Sequence, residues 1–143
     1  MNNQGQVALP FVLLISGVII EIAIAGAFVA YFLSTSSLGE RLSIRAYSAS
    51  YAGIEDAMIK IIANKEFTTA SCASVYNYSL TVDSDSTSID VCRTTQSAAN
   101  SYTYTITSLA TASSRKKKLQ AVLNVNKTTG EANLQSITDV PAS

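Results

Sequence analysis

The sequence predicts an α+β protein: one long N-terminal helix, transmembrane in its first half and amphipathic in its second, packed on a small antiparallel β-sheet head. Three observations carry that expectation. An apolar run fills Val7 to Leu33, apolar residues then recur at intervals of three and four as far as Ile62, and from Tyr76 onward apolar and polar residues alternate. The corresponding segments are 6–33 for the transmembrane helix, 34–66 for the amphipathic helix continuing into the head, and 67–143 for the sheet head.

The span from Val7 to Leu33, VALPFVLLISGVIIEIAIAGAFVAYFL, holds a single charge, Glu21. About 20 helical residues cross a bilayer, so the run is long enough to span with some tilt. A cleaved secretory signal is the rival, but MNNQG lacks a basic start, the apolar stretch is long for one, and polar sequence begins only after Leu33. Cleavage among Ser34 to Ser37, giving a secreted binding module, is the least favoured outcome. Pro10 fits the first turn of the helix.

After the span, STSSLGERLSIRAYSASYAGIEDAMIKIIANKEF changes period without stopping. Leu42, Ala46, Ala49, Gly53, Ala57 and Ile61 form a stripe that Ile54, Met58 and Ile62 widen, and Arg41, Arg45, Glu55, Asp56 and Lys60 fall mainly on the other side. Alanine and glycine in the stripe would let another layer approach closely. Ser34 to Gly39 is a helix-weakening patch where the helix loosens, breaks or runs on.

Beyond Phe67 the period becomes two. Tyr76, Tyr78, Leu80 and Val82 point one way in SVYNYSLTV; Tyr102, Tyr104 and Ile106 alternate with threonines in SYTYTITS; Leu119, Ala121, Leu123 and Val125 share a face in KLQAVLNV. IDVC is a shorter strand candidate carrying Cys92, and ANLQSITDV is a last strand after the turn-like NKTTG. An antiparallel sheet of four or five strands with one apolar face needs a cover, and the stripe from Leu42 to Ile62 is the long amphipathic surface that can supply it.

Composition narrows the function. The chain has 143 residues, ten Lys and Arg against ten Asp and Glu, and neither histidine nor tryptophan. Balanced charge offers no global field for nucleic acid, which nothing else in the sequence supports as a partner. Without histidine the usual general base near neutral pH is missing, no G-x-S-x-G or phosphate-cradling glycine loop occurs, and Glu55 and Asp56 diverge by about 100° around a helix. The sequence points to no catalytic residue, metal ligand set or cofactor. Two cysteines cannot complete a zinc site.

Cys72 and Cys92 flank a Ser, Thr and Asp-rich excursion, as a disulfide in an oxidising compartment would; two buried free thiols are the alternative. Closing that loop is worth roughly 3 kcal/mol in the chain-entropy model. The cysteines favour an extracytoplasmic head, whereas Arg41 and Arg45 after the span weakly favour the reverse. DSDSTS, Asp83 to Ser88, reads as a solvated turn because it lacks the glycine and distal glutamate of a calcium loop. RKKK, Arg115 to Lys118, has the charge to meet phosphate or anionic lipid but reads first as a solvated sheet edge that discourages aggregation. Sequons begin at Asn77 and Asn126 and decide nothing.

The order of parts resembles a type IV pilin or pseudopilin, and VALPFVLLIS with AYSASYAGIEDAMIKI is similar to minor pilins. The likeness in layout covers nearly the whole chain; in sequence it is confined to about the first 60 residues. It implies a non-catalytic filament subunit: residues 1–5 a leader, cleavage between Gly5 and Gln6 by a prepilin peptidase, a head outside the cytoplasmic membrane, and extraction by inner-membrane machinery into a cell-surface filament serving adhesion, motility, DNA uptake or secretion. Its partners would be other pilin-like subunits and membrane lipid. Family members carry a glutamate at the fifth position of the processed chain; counted from Gln6 that position is Pro10 and Glu21 is the sixteenth. Cleavage after Gly17 would put Glu21 fourth, but it makes a leader of mostly apolar residues that would itself insert, so Gly5 is preferred.

A carboxylate near the centre of a spanning helix costs about 2.5–3.5 kcal/mol on insertion scales. Glu21 is therefore expected to act in assembly, pairing with a neighbouring subunit's amine or polar group; the competing reading is a protonated acid bonded to its own helix or beside Ser16. The competing function is a non-polymerising single-pass membrane protein whose small extracytoplasmic head binds a ligand or partner.

Overall fold

The structure, a computed structural model, describes residues 4–96 and 100–142, with side chains over 10–95 and 100–142. Met1 to Asn3 of the leader lie outside the described residues, and so does the side chain of Gln6. The chain is α+β: helix α1 is Gln4–Ala63, followed by β1 Tyr76–Val82, β2 Asp85–Gln96, β3 Ser101–Ala112, β4 Arg115–Asn126 and β5 Ala132–Val140. Two compact units divide it between Gly39 and Glu40.

The first unit is helix throughout its described length, and the segment from Pro10 is long and apolar enough to cross a membrane. Pro10 lies inside α1, not in its first turn, because the helix already begins at Gln4. The ring removes one backbone donor there. Ser34 to Gly39 neither breaks nor unwinds the helix. Its hydroxyls are used locally: Thr35 Oγ1 donates to Tyr31 O at 3.2 Å or Phe32 O at 3.0 Å, and Ser16 Oγ in the apolar run donates to Leu13 O at 2.9 Å. Bonding back to the helix satisfies polar side chains where no water would be present.

In the second unit the helix lays its small-residue stripe on the sheet. Ala46, Ala49, Gly53, Ile54, Ala57 and Ile61 are buried, while Leu42 and Met58 are half-buried. Ile62 departs from expectation: it is 61% exposed, because it sits about 100° around the axis from Ile61 and faces away from the sheet. The helix stops at Ala63 rather than residue 66, where Asn64 Oδ1 accepts the Glu66 N–H at 3.1 Å and Asn64 O accepts the Phe67 N–H at 2.8 Å. This local turn chemistry competes with another helical turn.

The sheet is antiparallel with strand order β1-β2-β3-β4-β5, a meander of hairpins. Its helix-facing side supplies Ile89, Val91, Tyr104, Ile106, Leu119, Ala121, Leu123 and Val125 to one core with Ile54, Ala57 and Ile61. The opposite side of the middle strands is largely Ser, Thr, Asn and Gln, as one solvated face requires. IDVC proves to be the middle of the 12-residue β2, not a short strand. Of its polar residues before Ile89, Ser86 and Ser88 project from the solvated face, while Asp85 and Thr87 are buried on the core side, Asp85 held by Arg45 and Thr87 donating to Ala49 O at 3.4 Å.

The turns are short and polar. Asp83 and Ser113 adopt φ of 57° and 55° at the β1–β2 and β3–β4 connections, left-handed conformations that short polar side chains accept more readily than bulky ones. In NKTTG, Asn126 Oδ1 accepts the N–H groups of Thr128 and Thr129 at 2.8 and 3.0 Å, and Gly130 supplies φ of 76°. DSDSTS is only partly a turn: Asp83 and Ser84 form it, and Asp85 to Ser88 continue as strand. RKKK does not lie on an outermost strand, since β4 runs between β3 and β5. Pairing with β5 begins at Lys118, however, so Arg115 to Lys117 keep one unpaired side and remain a local edge.

Candidate functional site

Of the residues singled out in the sequence, Cys72 and Cys92 are brought together, in a disulfide with a Cα–Cα separation of 4.9 Å. The bond ties the loop between α1 and β1 to β2, beside a backbone bond from the Arg93 N–H to Ala70 O at 2.8 Å. Glu21 is exposed on the apolar helix, and among the described residues it makes no hydrogen bond; Ser16 is engaged by Leu13 instead. The Gly5–Gln6 bond lies within the backbone of α1. Asn77 donates from β1 to Ser88 Oγ at 3.0 Å and to Asp90, so that sequon side chain is occupied by cross-strand bonding.

Two polar clusters that the helical wheel placed on the outer side in fact clasp the sheet. Arg45 forms a two-pronged contact with Asp85, Nε to Oδ2 at 3.2 Å and Nη2 to Oδ1 at 3.0 Å, and Nη2 also donates to Ser84 Oγ at 2.8 Å. Asp85 is only 6% exposed, which makes this charge-assisted pair a pin between the helix and the β1–β2 hairpin. Further along, Asp56 Oδ2 accepts from Lys60 Nζ at 2.7 Å and from the Tyr78 hydroxyl at 2.8 Å, with the Lys60 ammonium 3.9 Å from the Tyr78 ring centre.

Burial alone would raise the Asp56 carboxyl, but hydrogen bonds from Lys60 and Tyr78 and the Lys60 charge outweigh it and hold the group below the ordinary range. Burial and the bond to Asp56 push the Tyr78 phenol well above its usual value. These are structural contacts at the sheet edge. Tyr104, fully buried, donates to Lys65 O at 2.7 Å and closes the end of the helix onto β3.

The surface left without a partner is the opposite face of the same helix. Ile44, Tyr47, Tyr51, Ile59 and Ile62 are exposed, Ile44 to 61% and Ile59 to 66%. At about 100° per residue these five fall in a sector of roughly 120°, centred opposite the buried stripe, with Glu55 the one acid among them. Tyr47 and Tyr51 stack with ring centres 6.4 Å apart. The helix is thus apolar on both sides, one covered by its own sheet and one open. The signal was present as the spacing 44, 47, 51. It was masked because Arg41, Arg45, Glu55 and Asp56 interleave with it and make that side read as polar.

Among the described residues no group of three or more Cys, Asp or Glu is placed to hold a metal ion. No protein-family model, curated protein or solved structure matches this chain.

Proposed function

We propose that the chain is a non-catalytic subunit of a type IV pilin-like filament, of the minor pilin or pseudopilin kind, anchored in the membrane by its N-terminal helix before assembly with its head outside the cytoplasm. The observation that carries this reading is the doubly apolar helix. A head that only needed anchoring would have no use for Ile44, Tyr47, Tyr51, Ile59 and Ile62 on the side away from its sheet, and exposed apolar surface of this kind is normally an interaction site. Helices of neighbouring copies are the natural cover, since a stripe on the same helix as the span can pack alongside its equivalents when the spans leave the lipid together.

Glu21 then acquires a role in register. Lipid disfavours a charged carboxylate, so a neighbour offering an amine or polar partner would favour one axial position over others. The disulfide between Cys72 and Cys92 agrees with a head in an oxidising compartment. The sequence likeness, with residues 1–5 as leader and Gly5–Gln6 as the processed bond, supports the same reading.

The decisive experiment is the mass of the N-terminal peptide of the native protein recovered from its own membrane fraction. A peptide beginning at Gln6, N-methylated or not, supports pilin-type processing. One beginning at Met1 or Asn2 overturns it and leaves a plain anchored head that binds a ligand or partner.

A further inference from the structure

The basic run Arg115–Lys118 has no part in the filament reading, and the topology gives it a specific place. The β1–β2 and β3–β4 turns lie at one end of the sheet, because Ser86 pairs with Thr111 while Ala112 pairs with Arg115. Arg45 reaches the same end from the helix through Ser84 and Asp85. The unit itself begins at Glu40, five residues before Arg45. Only seven residues lie between Leu33 and Arg41, a reach of at most roughly 30 Å even if drawn straight.

Six of the ten basic residues gather there, Arg41, Arg45, Arg115, Lys116, Lys117 and Lys118, against the acids Glu40, Asp83, Asp85 and Asp139. Arg45 is taken by Asp85 and Lys117 by Asp139. Among the described residues no acid pairs with Arg41, Arg115, Lys116 or Lys118, and Arg41, Arg115 and Lys116 are exposed. The free side of Arg115 to Lys117, past the last rung with β5, leaves backbone N–H groups open as well.

We propose that this basic end of the sheet unit docks on the anionic phospholipid headgroups of the membrane that holds the apolar segment. The inference rests on the anchored part of the proposed function and not on polymerisation. A basic residue close to an anionic bilayer favours the bound state about fivefold, so the three unpaired bases of the β3–β4 hairpin together favour it roughly a hundredfold at low salt. The turn itself is Ser113 and Ser114, and the residues paired with Arg115 and Lys116 are Ala112 and Thr111, with no aromatic platform for stacked bases. Charges about 80 residues downstream of the span in sequence lie outside the positive-inside count and need not set topology.

The test uses the full chain inserted in nanodiscs, either of phosphatidylcholine alone or of phosphatidylcholine with phosphatidylglycerol, and reads amide exchange across the β3–β4 hairpin. Exchange at Ser113 to Lys117 should slow about fivefold or more in the anionic discs, return to the neutral rate in high salt, and lose its lipid dependence in the triple variant Arg115→Gln, Lys116→Gln, Lys118→Gln. The variant Lys116→Arg, Lys118→Arg should keep it, and unchanged exchange over β2 and β3 shows that each variant is folded. Equal hairpin exchange in the two kinds of disc overturns the proposal. So does capture of duplex DNA by the chain in neutral discs that only the triple variant abolishes, which would assign the patch to nucleic acid. Insertion is scored separately by alkaline extraction of the discs; failure to insert removes the anchor and this docking together.

Discussion

At the scale of single residues, close approach and paired charge set the largest expected effects. A Cβ on Gly53 would lie 2.5 Å from Ser108 Oγ and 2.9 Å from Thr87 Cγ2, both on buried side chains of adjacent strands. Gly53→Ala gains up to about 1 kcal/mol of helix propensity, but overpacking costs about 1–3 kcal/mol. Denaturant unfolding of the full chain in detergent should therefore find the variant less stable, not more. Tyr78→Phe leaves Asp56 with Lys60 and should cost about 0.5–1.5 kcal/mol by the same measurement. The pH dependence follows from the two shifts. The Asp56 carboxyl is held below its ordinary 3.8, so its contribution is complete above that value and is lost as pH falls through the lowered one. The Tyr78 phenol is raised above 10.0, so its contribution holds below pH 10 and goes as pH rises further. In Asp56→Ala the acid dependence carried by Asp56 should disappear, while the alkaline one should shrink but persist because burial of Tyr78 remains, which stability measured across the acid and alkaline limbs would reveal.

At the scale of elements, the question is what fastens helix to sheet beyond the apolar core. Arg45→Ala leaves Asp85 buried with its main partner gone, and because Arg45 itself is half-exposed the loss should be about 1–3 kcal/mol rather than the full cost of a buried pair. Asp85→Asn should recover part of it in the Arg45→Ala background, read as a non-additive double-mutant cycle. Period two survives in Tyr76 to Val82, whose Tyr78 and Leu80 pack against the core, and in Leu119 to Val125, which is buried in it, so those strands were legible; in Ala132 to Val140 the alternation breaks at the register shift opposite Val122 and Leu123, and Ala132 and Ile137 reach the core. Strand β2 was read short because its core face carries Asp85 and Thr87 before Ile89, polar residues that only the helix contacts explain. The clasp by Arg45 and the Asp56–Lys60–Tyr78 cluster were not legible at all. Helix periodicity assigns a side but not what crosses it, and long side chains on the flank of a buried stripe can reach a sheet edge as easily as water.

At the scale of the whole molecule, the core stripe and the open stripe on one helix make different demands, and that difference can be measured. Replacing Tyr47 and Tyr51 by Ser removes exposed apolar surface without opening a cavity, so unfolding of the head should change by no more than about 0.5 kcal/mol. If the stripe is the contact between copies, the same variant should be lost from sheared filament fractions while its amount in the membrane fraction stays level. Glu21→Gln tests the other half of the helix: it removes the charge but keeps a hydrogen-bonding group of similar size, so membrane insertion should be unimpaired and the loss, again, should fall on the filament fraction. A variant pair that enters filaments as well as the native chain would separate the apolar helix from assembly and leave both stripes to be explained by a membrane-bound head and its partner. Normal assembly for Tyr47→Ser, Tyr51→Ser with loss for Glu21→Gln would instead place the contact between copies within the apolar run, whose carboxylate alone would then set the register.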